Sequence, residues 1–105
     1  MTGTIRSMMV LAVVVVSVNT VGFAQSAGEA SYKAKCQMCH GAVGNPSPGM
    51  SKMMGVKPVS DPDIKRLTSD EMFAAVKNGK GKMKPVAGLT DAQIKDAVTF
   101  YRGLK

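Results

Sequence analysis

The 105-residue chain holds one histidine, two cysteines and no tryptophan, with three Phe and two Tyr as its only aromatics. Each shortage excludes something. A single histidine rules out two histidine ligands from one chain, and two cysteines allow at most one disulfide. Residues 25–105 contain no run alternating apolar and polar residues, so a sheet has no pattern to grow from. Large apolar side chains are few there, which leaves a modest core. Below about 70–80 residues a core of that kind rarely holds a fold alone, and disulfides, metals or cofactors usually assist.

What is present begins with a leader. Arg6 and the amino terminus supply positive charge, residues 8–18 form an apolar run, and Gly22 and Ala24, either side of Phe23, place small residues near a cleavage point. That is the layout of a secretory signal peptide over residues 1–24. A transmembrane anchor needs about 20 apolar residues, whereas Ser17, Asn19 and Thr20 interrupt this stretch. Cleavage after Ala24 leaves a single domain, residues 25–105, exported to the periplasm and without stable membrane insertion. Without cleavage the segment would remain an anchor.

Both cysteines and the histidine fall within five positions, "CQMCH", Cys36 to His40. A Cys36–Cys39 disulfide would close too small a loop to stabilise much, because that stabilisation grows with loop length. A thioredoxin-like redox pair expects a βαβ context that is missing here. Structural zinc wants four S or N donors, and the chain offers three. The remaining chemistry is covalent haem attachment, for which C-x-x-C-H is the signature. Each thiol adds to a haem vinyl group, and the His40 imidazole ligates the iron from the proximal side.

Helical patterning accompanies the motif. A first helix is expected from about Ala27 to Gln37, with Ala30, Tyr32 and Ala34 toward one side. Thr68 with Glu71, and Thr90 with Gln93, form two capping boxes. Met72, Phe73 and Val76 follow the first at helical spacing, and Ile94, Ala97, Val98 and Tyr101 follow the second. Gly79 and Gly103 stand where these helices should end. Residues 41–67 carry four of the five prolines and read as loop, with one short helix around Met50 to Met54.

Taken together, "GEASYKAKCQMCHG", "GNPSPGM", "NGKGKMKP" and "LTDAQIKDAVTFYRGL" resemble the small, single-haem class I cytochromes c of bacteria over the whole of residues 25–105. The resemblance implies an all-α fold of three to five helices wrapped around one haem c, bound through two thioethers. It also implies a crossing of the first and last helices, with Gly28 and Tyr32 set against Val98 and Tyr101. The function it implies is electron transfer rather than enzymatic catalysis.

The far side of the iron is open to a methionine, a lysine or no protein ligand. Six methionines follow the leader. Met38 lies between the cysteines, Met72 fits a helical face, and Met50, Met53 and Met54 form a stripe suited to a pocket wall. Met83 stands apart in the Gly- and Pro-flanked loop "NGKGKMKP", where the family places its distal ligand. The family often has proline directly after that methionine, whereas Lys84 intervenes here before Pro85. Pro46 and Pro48 are both candidates for supporting the proximal imidazole.

A His40/Met83 pair would favour Fe(II) and leave no vacant position. An open sixth site would instead suit gas binding or peroxidase-like activity, and a third alternative is a haem subunit of a larger respiratory or dehydrogenase complex. The net charge of +7 falls to +6 without Arg6. No aromatic-interleaved basic motif suggests nucleic acid. Lys77, Lys80, Lys82 and Lys84 crowd the Met83 loop, which suits transient docking of a monomer on acidic redox partners such as an oxidase, reductase or dehydrogenase.

Overall fold

The computed structural model describes residues 13–15 and 21–105. Most of the apolar run of the expected leader lies outside these residues. The described chain is helical: α1 (Val21–Lys35), α2 (Gln37–His40), α3 (Pro48–Met54), α4 (Pro62–Lys65), α5 (Ser69–Asn78) and α6 (Asp91–Arg102). Two of the six, α2 and α4, are single turns. Among the described residues the only β pairing is one isolated bridge, between Lys80 and Met83, and no helix is long and apolar enough to cross a membrane.

The last two long helices start as their sequences require. Thr68 accepts from the Glu71 N–H at 3.1 Å while the Glu71 carboxylate accepts from the Thr68 N–H at 3.2 Å. Thr90 and Gln93 exchange the same pair of bonds at 3.2 and 2.8 Å. Each box satisfies two N–H groups that a helix start leaves unpaired. Gly79 ends α5 with φ +82, a conformation closed to most side chains. Gly103 ends α6 at φ −80, so its position there uses none of glycine's extra freedom.

Met72, Ile94 and Val98 form the buried cluster between α5 and α6, with Ile64, Leu67, Phe73, Val76, Leu89 and Tyr101 packed around it. Helix α1 crosses the other side of α6. A Cβ at Gly28 would lie 2.2 Å from the Asp96 carbonyl oxygen and 3.1 Å from Phe100 Cβ, so the two backbones meet where α1 has no side chain. The sequence points to Gly28 as the crossing residue, but its partners are Asp96 and Phe100 rather than Val98. Tyr32, one turn on, is the most buried large side chain, at 1 % exposure. Its ring lies 5.3 Å from Phe100 and 6.0 Å from Tyr101.

Three details differ from the sequence reading. Helix α1 begins at Val21, ahead of the expected Ala27, and the expected cleavage point after Ala24 falls in its first turn. Ala30 and Ala34 are exposed, while Ser31 is buried beside Tyr32. The buried face of α1 is the one that carries Gly28, Ser31 and Tyr32. Residues 41–67 contain a helix that periodicity missed, α4, whose start is set by Asp61: its carboxylate accepts from the Asp63 N–H at 2.8 Å, with Pro62 at the first helical position.

Candidate functional site: the C-x-x-C-H turn

Cys36 closes α1 and opens α2. Its N–H donates to the Tyr32 carbonyl at 2.8 Å, and its own carbonyl accepts from Cys39 at 3.2 Å and His40 at 3.0 Å. The Gly41 N–H completes the turn on the Gln37 carbonyl at 2.8 Å. One turn of helix therefore carries both thiols and the imidazole. At Gly41, φ +82 turns the chain away, and a Cβ there would lie 2.0 Å from the Asn45 carbonyl oxygen. Glycine is the residue that this exit accepts. The loop is then pinned by the Val59 N–H on the Gly44 carbonyl at 2.8 Å.

The imidazole of His40 packs edge-on against Tyr101, with ring centroids 5.4 Å apart at 64°. Its Nδ1 is buried without a hydrogen-bond partner. Burial pushes the His40 pKa down, which keeps the ring neutral, and neutral imidazole is the metal-ligating form. Burial, and then the neighbouring Cys39, push the Cys36 thiol up. Both cysteines are free thiols. Among the described residues no three His, Cys, Asp or Glu side chains cluster tightly enough for one metal ion. The two thiols and the imidazole are presented along one turn.

A cavity of about 50 Å³ lies behind the turn, lined by Tyr32, Cys36, His40, Ala97, Val98 and Tyr101. It has room for a few water-sized molecules. The Tyr32 hydroxyl donates to the carbonyl of Gly41, the residue after His40. Sequence reading assigns Tyr32 to packing alone; the missed signal is that a buried tyrosine hydroxyl usually finds a polar partner.

Met83 is carried separately, outside that lining. Lys80 and Met83 exchange backbone hydrogen bonds at 2.9 and 3.0 Å around Gly81 and Lys82. Gly81 has φ +58, the positive value that the first central position of a tight II′ hairpin demands. Both ends of the loop hang from α5: the Gly79 N–H donates to Ala75 and the Val86 N–H to Val76, each at 2.9 Å. Met83 is half-buried. Met72 is in the core at 8 % exposure, as its helical face requires, and Met38 is exposed at 85 %. Met50 is half-buried and Met53 and Met54 are exposed, so none of the α3 stripe enters the buried core.

The four lysines around Met83 divide. Lys77 pairs with Asp91 at 2.9 Å and sits over the Phe73 ring at 5.6 Å. Lys82 donates to the Met53 carbonyl at 3.0 Å. Lys80 and Lys84 are exposed beside Met83.

A helical shell built around a C-x-x-C-H turn with a neutral, unpartnered imidazole defines a c-type cytochrome, the class whose members bind haem covalently and pass electrons. Sequence comparison identifies the branch. The family described as cytochrome c oxidase, cbb3-type, subunit III matches residues 23–100, and the chain belongs to it. Among solved structures, the KustC0563 c-type cytochrome superposes with a TM-score of 0.66 at 26 % identity, over 74 % of this chain and 96 % of that one. No curated protein matches.

Proposed function

We propose that this chain is an exported, periplasmic carrier of single electrons, with one haem c attached at Cys36 and Cys39 and ligated by His40 and Met83. The observation that carries the reading is the buried Nδ1 of His40 without a partner, on the same turn as two free thiols. A polar atom buried in this way costs free energy unless something pairs with it. When bound, the haem supplies the Fe(II)/Fe(III) couple, and a neutral thioether opposite an imidazole raises its potential.

The remaining work belongs to the chain. Cys36 and Cys39 would hold the group through thioether bonds, and His40 and Met83 would ligate its iron. A ligating imidazole usually donates its second N–H to a fixed acceptor. Pro46, half-buried in the loop after the turn, and Pro48, exposed at the start of α3, are the two candidates for that role. Lys80 and Lys84 give the Met83 side of the molecule a positive face for an acidic partner. The family description, an oxidase subunit, supports redox proteins as partners.

The visible spectrum of purified protein tests the reading. Sharp ferrous bands of six-coordinate haem c, unaltered by carbon monoxide, are expected. Broad high-spin bands that shift with carbon monoxide would transfer the assignment to an open-site haem protein, and absence of haem would end it.

A further inference from the structure

We propose that Tyr32 is the positioning residue of the C-x-x-C-H turn: its hydroxyl fixes the Gly41 carbonyl and so holds His40 in one orientation. The inference rests on reading Cys36, Cys39 and His40 as the haem-attachment turn.

Three contacts carry it. At the entrance to the turn, the Tyr32 carbonyl accepts from the Cys36 N–H at 2.8 Å. At the exit, the Tyr32 hydroxyl donates to the Gly41 carbonyl. Between them, the Tyr32 ring stacks on Tyr101 at 6.0 Å and 23°, and Tyr101 meets the His40 ring edge-on at 5.4 Å. One residue thus spans the motif, its backbone carbonyl before the first thiol and its phenol after the ligand. It can do so because it is almost wholly buried and rooted in α1, which is locked on α6 at Gly28.

The exit needs such a tether. Gly41 has positive φ and no side chain of its own to hold it. Its other described tie on the carbonyl side is the Gly44 N–H, at a long 3.3 Å. The Gly41 N–H keeps its 2.8 Å bond to Gln37, but without the phenol the Gly41–Ala42 peptide would be held only by the weaker bond from Gly44, and the end of the turn that carries His40 would loosen. A purely structural tyrosine would need only the ring, which phenylalanine supplies. The assigned role needs the oxygen.

The test compares Tyr32→Phe with Thr90→Ala, which removes the α6 cap far from the turn and costs a similar amount of global stability. In the purified protein, amide hydrogen exchange at His40 and Gly41 is referred to the slowest core amides of α6. Tyr32→Phe should speed exchange at the turn by about five- to tenfold beyond that reference, as loss of one hydrogen bond implies. Thr90→Ala should leave the ratio unchanged. In ferric protein, Tyr32→Phe should also shift the paramagnetically displaced haem-methyl and His40 ring resonances, while Thr90→Ala leaves them in place. Unchanged relative exchange at the turn in Tyr32→Phe would overturn the role, and so would matching effects in both variants. If the wild-type chain carried no haem, the proposed function would fail, while the exchange comparison would still decide whether Tyr32 orders the turn.

Discussion

Lys82 reaches 29 residues back along the chain to donate its ammonium to the Met53 carbonyl at 3.0 Å. The contact ties the Met83 hairpin to the C-terminal end of α3, where helix carbonyls lack intrahelical partners and attract cations. Lys82→Ala should therefore loosen the hairpin without unfolding the protein. The bond is exposed, so about 1 kcal/mol is at stake, near fivefold in an equilibrium. Optical titration with added imidazole, which competes for the Met83 position, should show about fivefold tighter binding in Lys82→Ala and little change in Lys80→Ala. Equal affinity in all three proteins would mean that the contact does not restrain the loop.

Met83 itself gives the sharpest ligand test. Met83→Ala should open the sixth position, make the haem partly high-spin, lower the reduction potential and admit carbon monoxide. Met83→His should keep six-coordination and still lower the potential, because imidazole favours Fe(III) more than a thioether does. Alanine at Met50, Met53 or Met54 should leave the spectrum intact. Met72→Ala should do the same at a stability cost of about 2–5 kcal/mol, since it truncates the core. Loss of the weak ferric sulfur-to-iron band in one of these four, but not in Met83→Ala, would reassign the ligand.

Gly28→Ala inverts a familiar sign. In an open helix interior, alanine is better than glycine by about 1 kcal/mol. Here the new Cβ would sit 2.2 Å from the Asp96 carbonyl oxygen, and that backbone atom cannot rotate away. A net loss of about 1–3 kcal/mol is expected from the overpacking. Gly49→Ala, whose nearest neighbour is the Ser47 hydroxyl at 4.0 Å, should be neutral or stabilising. Denaturant midpoints of the two variants should move in opposite directions.

Alkali should attack the fold through Tyr32. Burial, and then the neighbouring Tyr101, push its pKa up from 10.0 to about 12. The neutral phenol is the form that the fold prefers. Its contribution is complete below pH 10 and is lost as pH rises toward 12, because the unfolded phenol ionises first. Far-UV circular dichroism during denaturation should show the midpoint falling across that window. In Tyr32→Phe the fall should be shallower. Tyr101, also raised by burial, should sustain part of it. An identical slope in the variant would sink the assignment to Tyr32.

Docking can be separated from net charge. Lys80 and Lys84 flank Met83 and are exposed, whereas Arg66 is paired with Asp63. Screening reaches about 10 Å at 0.1 M salt. Electron-transfer rates with an acidic partner should fall as salt rises. The double change Lys80→Glu, Lys84→Glu should flatten that dependence more than Lys65→Glu, Arg66→Glu. Equal flattening would leave only the overall charge as an explanation.

How much of this was readable beforehand depends on the range of the interaction. The two capping boxes, the α6 stripe and the C-x-x-C-H turn are local, each set by residues within about one or two turns of one another, and the sequence shows them directly. Gly28 was legible as a crossing point because a glycine inside a helix otherwise lacks a reason. Its partners were not, since they depend on how α6 is rotated. Helix α4 escaped because it is too short for periodicity, although Asp61 and Pro62 mark its start. The Tyr32–Gly41 and Lys82–Met53 contacts escaped for another reason: each joins a side chain to a distant carbonyl, and every residue has a carbonyl. All four lysines of the expected rim are exposed, but two of them are engaged, and pairing with Asp91 and Met53 can be seen only in three dimensions.

The loop carrying Met83 leaves α5 at Gly79 and returns to it at Val86, its two closing bonds landing on the adjacent carbonyls of Ala75 and Val76. Its entrance and exit are therefore a fixed port on a single helix. Doubling the length of a flexible loop costs only about 0.6 kcal/mol in closure entropy. Residues 80–85 can thus behave as an exchangeable cassette: a different length or a different sulfur, nitrogen or oxygen donor could be installed there while both capping boxes and the α1–α6 crossing stay untouched. With Met83 as the proposed iron ligand, a chain built this way can be retuned from one redox task to another by rewriting half a dozen residues.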